Sequence, residues 1–365
     1  MNALRFRKNL LAWYDANKRD MSWRRTSDPY AILVSEVMLQ QTQVSRVEEY
    51  WSRFLKRFPT AEALATATED GVCSAWSGLG YYRRARNLRK AALAIVESGG
   101  GVPRTAELLR ELPGIGAYTA AAVASIAFGE AVAVLDANVV RVIARLLAET
   151  DDVTRAPARR RLESVASELL DPERPGDFNQ AMMELGAIVC SPTSPTCDRC
   201  PVSAHCLARA AGDPEAYPVT RIAVQMNEMH ETAALIVRRG RVLLTNEPDE
   251  RGWWPGLWRL PRVVSGARAG GGVGVDEAAS RETKLRALLH DRLGLTCAEF
   301  EHVATTTYGV TTNRVTLNVV ECRSPRGRLR RSSRVRWLTL EEALSLGVPA
   351  ADRRILEGFD PTTAS

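Results

Sequence analysis

Lysine is scarce in this chain. Of 49 Lys and Arg residues among 365, only Lys8, Lys18, Lys56, Lys90 and Lys284 are lysine. Arginine's planar fork suits phosphates and base edges. GC-rich codon usage gives the same bias, so the excess by itself names no partner. Long apolar runs are also missing. The longest small-apolar stretch, near 120–128, falls far short of the ~20 residues that span a bilayer. The first twenty residues interleave Arg5, Arg7, Lys8, Asp15 and Asp20 with Leu10, Leu11 and Trp13. They lack the apolar core and cleavage site of a signal peptide. These absences lead us to expect a soluble, cytoplasmic protein, nucleoid-associated if bacterial, with no membrane partner. The seven cysteines are an odd number, which argues against a disulfide framework.

What is present is ordinary globular material, 45% hydrophobic and 25% charged, with a net charge of +6. The length exceeds one ordinary domain and suggests two or three. From residue 5 to about 210 the pattern is helical, with neither strand alternation nor an internal repeat. Asp28-Pro29 opens a helix, a capping residue before Pro in the first turn. Apolar residues recur at helical spacing from Ile32 through Leu55. Further helices are expected at about 60–67, 70–77, 85–97, 105–112, 117–128, 138–148, 156–169 and 176–189. Glycines near 99–101, 114 and 129 punctuate them. Residues 211–229 read as a linker. Beyond it, 231–238 and 241–245 look like strands around Arg239-Gly240, and 314–322 is another β-branched run. Helices are expected near 282–293 and 340–346. The fold class is therefore an all-α domain followed by an α+β domain over about 230–360.

Four of the cysteines, Cys190, Cys197, Cys200 and Cys206, crowd into one segment with gaps of six, two and five. Four thiolates so close can wrap one ion or cluster. Structural zinc more often pairs two Cys-x-x-Cys units across a longer loop, so an iron–sulfur cluster fits better, with zinc left open. Pro192, Pro195 and Pro201 suit irregular backbone there. His205 is expected on the surface, and Cys73, Cys297 and Cys322 as isolated packed thiols.

Leu112-Pro113-Gly114-Ile115-Gly116 joins two helices. Its glycines permit a tight turn with positive φ, and its N–H groups stand at the start of the next helix. That is an anion site suited to a phosphate. Asp136 follows, between an apolar run and a new helix, where an N-cap is the simplest reading.

Helix–Leu-Pro-Gly-Ile-Gly–helix, a downstream Asp and the four-Cys spacing together resemble the endonuclease III superfamily of base-excision DNA glycosylases. Ser35-Glu36-Val37-Met38-Leu39-Gln40-Gln41-Thr42-Gln43-Val44, Gly78-Leu79-Gly80-Tyr81-Tyr82 and the run from Phe178 to Gly186 look like its MutY adenine glycosylase branch. The likeness spans nearly all of residues 5–210.

The resemblance implies a helix-hairpin-helix fold, one [4Fe-4S] cluster on the four cysteines, and double-stranded DNA holding an adenine mispaired with 8-oxoguanine or guanine. It implies a monomer acting in base excision repair. Cutting a base from deoxyribose requires flipping it out. It also calls for an acid at the leaving base and a carboxylate beside the sugar cation. The resemblance assigns these to Glu36 and Asp136, with Asn138 orienting a carboxylate and Tyr118 beside the nucleotide. Glu36 shares a helix face with Ile32, Leu33, Leu39 and Gln40, so its pKa should be raised, while Asp136 should be the ionised partner. Adenine recognition falls to Arg24, Leu39 and Gln180. Gln41 and Tyr81 resemble wedges, and Gly114 and Gly116 hold phosphate. The bifunctional branch carries a Schiff-base Lys at position 118. A phenol forms no imine, so simple hydrolysis without strand cleavage is expected.

The second domain resembles the MutT-like lesion reader of that branch, in degenerate Nudix form. Arg251-Gly252-Trp253-Trp254-Pro255-Gly256-Leu257-Trp258 fits a family loop. Registering the Nudix box on Gly294 leaves Asp291-Arg292 and Ala287-Leu288 where catalytic Glu residues belong, so metal-assisted pyrophosphate hydrolysis is not expected. The family's lesion-reading Phe-Ser-His is absent. Val310-Thr311-Thr312 takes its place, with Thr311 keeping a hydroxyl and Thr312 lacking an imidazole. Arg323, Arg326, Arg328, Arg330, Arg331, Arg334 and Arg336 form a basic stretch, expected after the last strand, which tracks phosphates or is simply solvated. Two other readings stay open: a related mismatch glycosylase, and a non-catalytic iron–sulfur DNA-binding protein.

Overall fold

A computed structural model of the chain describes residues 2–99, 101–220, 226–246, 253–254, 256–267, 275–330, 332 and 334–359. By its contacts the chain forms two compact units, Met1–Thr66 with Asn87–Ile222, and Ala67–Arg86 with Ala223–Ser365. Among the described residues no helix is long and apolar enough to cross a membrane.

The first unit is helical. In chain order it holds α1 (Ala3–Asn17), α2 (Pro29–Leu39), α3 (Val44–Arg57) and α4 (Ala61–Thr66). Helix α5 (Glu69–Ala75) belongs to the second unit by its contacts, and α6 (Arg83–Ser98) runs from the second unit into the first. Then come α7 (Ala106–Leu109), α8 (Ala117–Phe128), α9 (Ala137–Leu147), α10 (Ala156–Leu169), α11 (Pro175–Ile188) and α12 (Leu207–Ala210).

Asp28 caps α2 by accepting from the Tyr30 N–H at 3.0 Å, with Pro29 in the first turn. Every residue of α2 from Tyr30 to Met38 is buried, as befits a helix packed on all sides. The apolar spacing from 32 to 55 suggested one helix. The chain instead breaks at 40–43, where Gln41 takes a left-handed φ of 55°, and restarts as α3. Periodicity cannot register such a break, because the apolar stripe resumes in phase on the next helix.

Phe6 and Leu10 of α1 share a core with Val139 and Ile143 of α9, Leu162 of α10, and Phe178 and Leu185 of α11. Two glycines let α11 approach its neighbours. A Cβ on Gly176 would meet the Ser125 carbonyl at 2.6 Å, and one on Gly186 would meet Asn138 Cβ at 2.5 Å.

The second unit is built on a four-stranded mixed sheet. Its strands are β1 (Asn227–Leu235), β2 (Val237–Arg238), β3 (Arg241–Thr245), β4 (Arg262–Ala267), β5 (Leu295–Thr296), β6 (Glu299–Val310), β7 (Asn313–Arg323), β8 (Arg326–Gly327) and β9 (Val335–Leu338). The main sheet runs β4-β1-β7-β6, with β1 parallel to β7 and the other pairs antiparallel. A smaller sheet runs β2-β3-β9. Both faces of β1 are covered, which explains its nearly unbroken apolar end. Ala233 and Leu235 join Trp258, Leu317 and Leu356, while Ala234 joins Leu285 and Leu289. The helices are α13 (Val275–Leu288), α14 (Leu340–Ser345) and α15 (Ala350–Glu357).

Several local expectations change here. Helix α13 starts at Val275, and Leu289–Leu293 continues it as a wider π turn ended by left-handed Gly294. Strand β6 escaped the sequence reading because its exposed and half-buried residues alternate with little apolar signal. The arginine stretch does not follow the last strand. It contains β8 and β9, and Arg336 lies 4.7 Å over the Trp258 ring. Arg331 lies outside the described residues, as do Arg251, Gly252 and Pro255. Cys297 and Cys322 are not isolated: both are buried and their side chains hydrogen-bond each other. His205 is half-buried, its ring 6.1 Å from that of Phe6.

Candidate active site and cysteine loop

Glu36 lies buried on α2, and α2 packs against α8. Tyr118, on the first turn of α8, donates its O–H to Glu36 Oε2 at 2.9 Å and stands 3.4 Å from Met183 Sδ. Burial pushes the Glu36 carboxyl from 4.5 up to about 7, and the nearby Asp136 charge adds to the rise. The Tyr118 bond and the Arg24 charge pull the other way.

Asp136 caps α9. Its Oδ1 accepts from the Val139 N–H at 2.7 Å, and its Oδ2 from Asn138 Nδ2 at 2.9 Å. Burial raises its pKa, and the Val139 and Asn138 bonds draw it back. The segment leading into it is held by buried Asn179. That amide donates to the Val132 carbonyl at 2.8 Å and accepts from the Val134 N–H at 3.1 Å.

Beside Glu36, Arg24 reaches α11. It donates to Gln180 Oε1 at 3.2 Å and to Glu184 Oε2 at 2.9 Å. Arg19 grips both Glu184 oxygens at 2.8 and 2.9 Å. Burial opposes the Glu184 charge, yet the two guanidiniums outweigh it and hold the carboxyl at about 2. Leu39 is half-buried at the end of α2.

The hairpin lies between α7 and α8. Gly114 has φ +78°, and a Cβ there would clash with the Asn87 side chain. Gly116 caps α8 with no side-chain bond, so no capping side chain satisfies the first-turn N–H groups.

Gln41 is exposed, with φ 55°. Tyr81 belongs to the second unit, is 46% exposed and has φ 47°. Its neighbour Trp76 is fully buried, whereas Tyr81 is largely open to solvent, and Arg84 lies over both rings. Thr311 and Thr312 form the tip of the β6–β7 hairpin, and Thr311 has φ 52°. Gln41, Tyr81 and Thr311 thus all hold a backbone that L side chains rarely adopt, a condition common at functional positions.

Cys190, Cys197, Cys200 and Cys206 line one small cavity with Arg145. Arg145, only 2% exposed, donates to Cys190 Sγ at 3.3 Å and to the Ser191 carbonyl at 2.7 Å. Among the described residues no three His, Cys, Asp or Glu side chains form a single-ion site. Arg141 was missed by sequence reasoning. It donates to Asn138 Oδ1 at 2.8 Å, to the Cys190 carbonyl at 2.7 Å and to the Gly186 carbonyl at 2.8 Å. Arg19, Arg145, Asn179 and Glu184 were also missed as site residues. Asn179 and Glu184 stand inside the 178–186 run, which was the available signal.

This helical frame defines a class. Residues 34–168 match the family described as HhH-GPD superfamily base excision DNA repair protein, and residues 232–358 match the NUDIX domain. The fold is that helical domain followed by a Nudix-like α+β domain. A solved thermostable thymine-DNA glycosylase superposes with a TM-score of 0.53 at 31% identity, covering 57% of this chain and 97% of that one.

The chain belongs to the adenine DNA glycosylase family. It is 47% identical over 216 residues to the adenine DNA glycosylase of Mycolicibacterium smegmatis, covering 58% of this chain and 72% of the relative. It is 51% identical over 213 residues to that of Rattus norvegicus and 50% over 214 to that of Homo sapiens. It spans only 41% and 39% of those two mammalian relatives.

Proposed function

We propose that the protein is a monofunctional adenine DNA glycosylase. In this reading it flips adenine mispaired with 8-oxoguanine or guanine out of duplex DNA and hydrolyses its glycosidic bond. The observation that carries it is Glu36, a buried carboxyl held by one phenol and poised near pH 7. Adenine leaves readily once N7 is protonated, and Glu36 supplies that proton. The C–N bond breaks and positive charge develops on the sugar. Asp136, its oxygens aimed by the Val139 N–H and by Asn138, stabilises that charge. Water then forms the new C–O bond and releases its proton.

Arg24, Gln180 and Leu39 form the adenine pocket. With Oε1 engaged by Arg24, the Gln180 amide keeps its N–H donors for the base edge. Gln41 and Tyr81 wedge into the stack, Gly114 and Gly116 hold a phosphate, and Thr311 and Thr312 face the lesion. Tyr118 forms no imine, so no strand cleavage follows.

Cys190, Cys197, Cys200 and Cys206 fit one [4Fe-4S] cluster. Their sulfurs share a cavity, and Arg145 donates to one of them, which suits a thiolate. Bound, the cluster would tie the 190–206 loop together. The glycosylase occupies 1–210, 211–229 links it to the lesion reader of 230–360, and the chain acts as a cytoplasmic monomer. Residues 221–225 of that linker lie outside the described residues.

The test is single-turnover excision on duplexes pairing A with 8-oxoguanine, G, C or T, and T with G, followed by alkali. Release of adenine from the 8-oxoguanine and G pairs is expected. Thymine release instead, or adenine release unchanged by Glu36→Gln and Asp136→Asn, overturns the reading.

A further inference from the structure

We propose that α15 is the shared anchor of both DNA-reading elements in the second unit. Arg353 positions the wedge residue Tyr81, and Asp352 positions the hairpin that carries Thr311. The inference rests on the wedge reading of Tyr81 given above.

The segment 67–86 clusters with the carboxy-terminal chain. Within it Trp76, Leu79 and Tyr82 are buried, while Tyr81 projects outward. The loop grips itself locally: Trp76 Nε1 donates to the Gly80 carbonyl at 3.1 Å, and Arg84 donates to the Leu79 and Gly80 carbonyls at 3.2 Å. Further anchors come from far along the chain. Tyr82 Oη donates to the Val348 carbonyl at 2.9 Å, and Arg353 Nε donates to Ser77 Oγ at 2.7 Å. Gly347 packs so tightly on Cys73 that a Cβ would lie 2.5 Å from it. A bulky residue at positive φ persists only where its surroundings over-determine it. These contacts flank Tyr81 at both ends of the 77–82 turn.

The preceding residue of α15 bonds to a different set of elements. Asp352 is fully buried and accepts at Oδ1 from the Leu260 N–H at 2.9 Å and from Arg262. Arg262 donates its other nitrogen to Glu231 at 2.9 Å, and Tyr308 Oη donates to the same Glu231 oxygen at 2.7 Å. Tyr308 is on β6, three residues before Thr311. Two consecutive side chains on one helix therefore lead by hydrogen bonds to the wedge turn and to the lesion-side hairpin. Such charge-assisted bonds fix orientation as well as distance.

The test uses the full chain bound to a duplex with a non-hydrolysable 2′-fluorinated deoxyadenosine opposite 8-oxoguanine. 2-Aminopurine in the adjacent base step reports unstacking. Tyr82→Phe and Arg353→Gln should each raise Kd roughly three- to tenfold and blunt the 2-aminopurine signal, and on the matching cleavable duplex the maximal single-turnover rate should fall less than the affinity. Each should add little to Tyr81→Ala, because all act through one side chain. Arg353→Lys should restore part of the signal through Ser77. Melting curves check folding, and Tyr82→Phe, which deletes one oxygen, stands if Arg353→Gln does not fold. If Tyr81→Ala loses both readouts while Tyr82→Phe and Ser77→Ala keep them within twofold, the anchor is refuted and the wedge stands. If Tyr81→Ala itself leaves the signal intact, the wedge reading fails, and this inference with it.

Discussion

Two buried sites, Arg262 of the second unit and Glu36 of the first, treat charge in opposite ways. In the second unit, the Arg262 side chain is 3% exposed and sits between Glu231 and Asp352, both at 0%. Burial works against its charge, but Asp352 and Glu231 outweigh that and hold the guanidinium protonated beyond its usual range. In the first unit, Glu36 is equally buried but is bonded by a phenol, with no guanidinium or ammonium bonded to it among the described residues. A closed ion triad fixes geometry. An acid left without a bonded cation keeps a proton it can give away.

The largest effect should come from removing that proton. Glu36→Gln or Asp136→Asn should lower the single-turnover excision rate by roughly 10²–10⁴-fold, the usual range for a lost acid or base. A rate within tenfold of the parent would erase the contrast between the two sites. Next is the triad. Arg262→Leu leaves two buried carboxylates uncompensated and should cost about 3–5 kcal/mol of unfolding free energy, read by urea denaturation of the full chain. A loss under about 1 kcal/mol would mean that water already reaches the triad.

A smaller effect has the opposite sign. Glu36 binds its proton more tightly folded than unfolded, since its pKa rises from 4.5 to about 7. Between those values raising the pH removes stability, and above about 7 the loss is complete. Glu36→Gln escapes it, so the variant should gain roughly 1–3 kcal/mol relative to the parent at pH 8 and little at pH 4. Paired melting curves at both pH values decide this, and a gain independent of pH refutes it. The smallest effect concerns Tyr118. Its bond lowers the Glu36 pKa, so Tyr118→Phe should move the alkaline limb of the pH–rate profile upward by less than one unit. A limb that moves down would reverse the role given to the phenol.

Much of the first unit was legible because its chemistry sits in short local patterns. Gly114 and Gly116 announce the hairpin, Asp28 and Asp136 announce helix starts, and the cysteine spacing announces a common cavity. What escaped was long-range. Arg141 joins Asn138 to a carbonyl 49 residues away, and Arg19 meets Glu184 across 165 residues. Bonds from side chains to distant groups leave no periodic or spaced signal. The second unit was legible only in outline. Its charge triad joins β1, β4 and α15, and β6 is an edge strand with few buried residues. The segment 67–86, which groups with that unit, is bonded through Tyr82 and Ser77 to Val348 and Arg353, which no local pattern encodes.

The left-handed residues bear on how this chain would change under selection. Gln41, Tyr81 and Thr311 each keep a conformation that costs on the order of 1–3 kcal/mol for a side-chain-bearing residue. Glycine relieves that cost at each site, offset in part by a freer unfolded chain. A library enriched only for heat resistance should therefore collect glycine or asparagine at these positions. A library enriched for mutation avoidance should refuse them, and the two outcomes together would map, without a ligand in view, which loops the protein keeps uncomfortable for use.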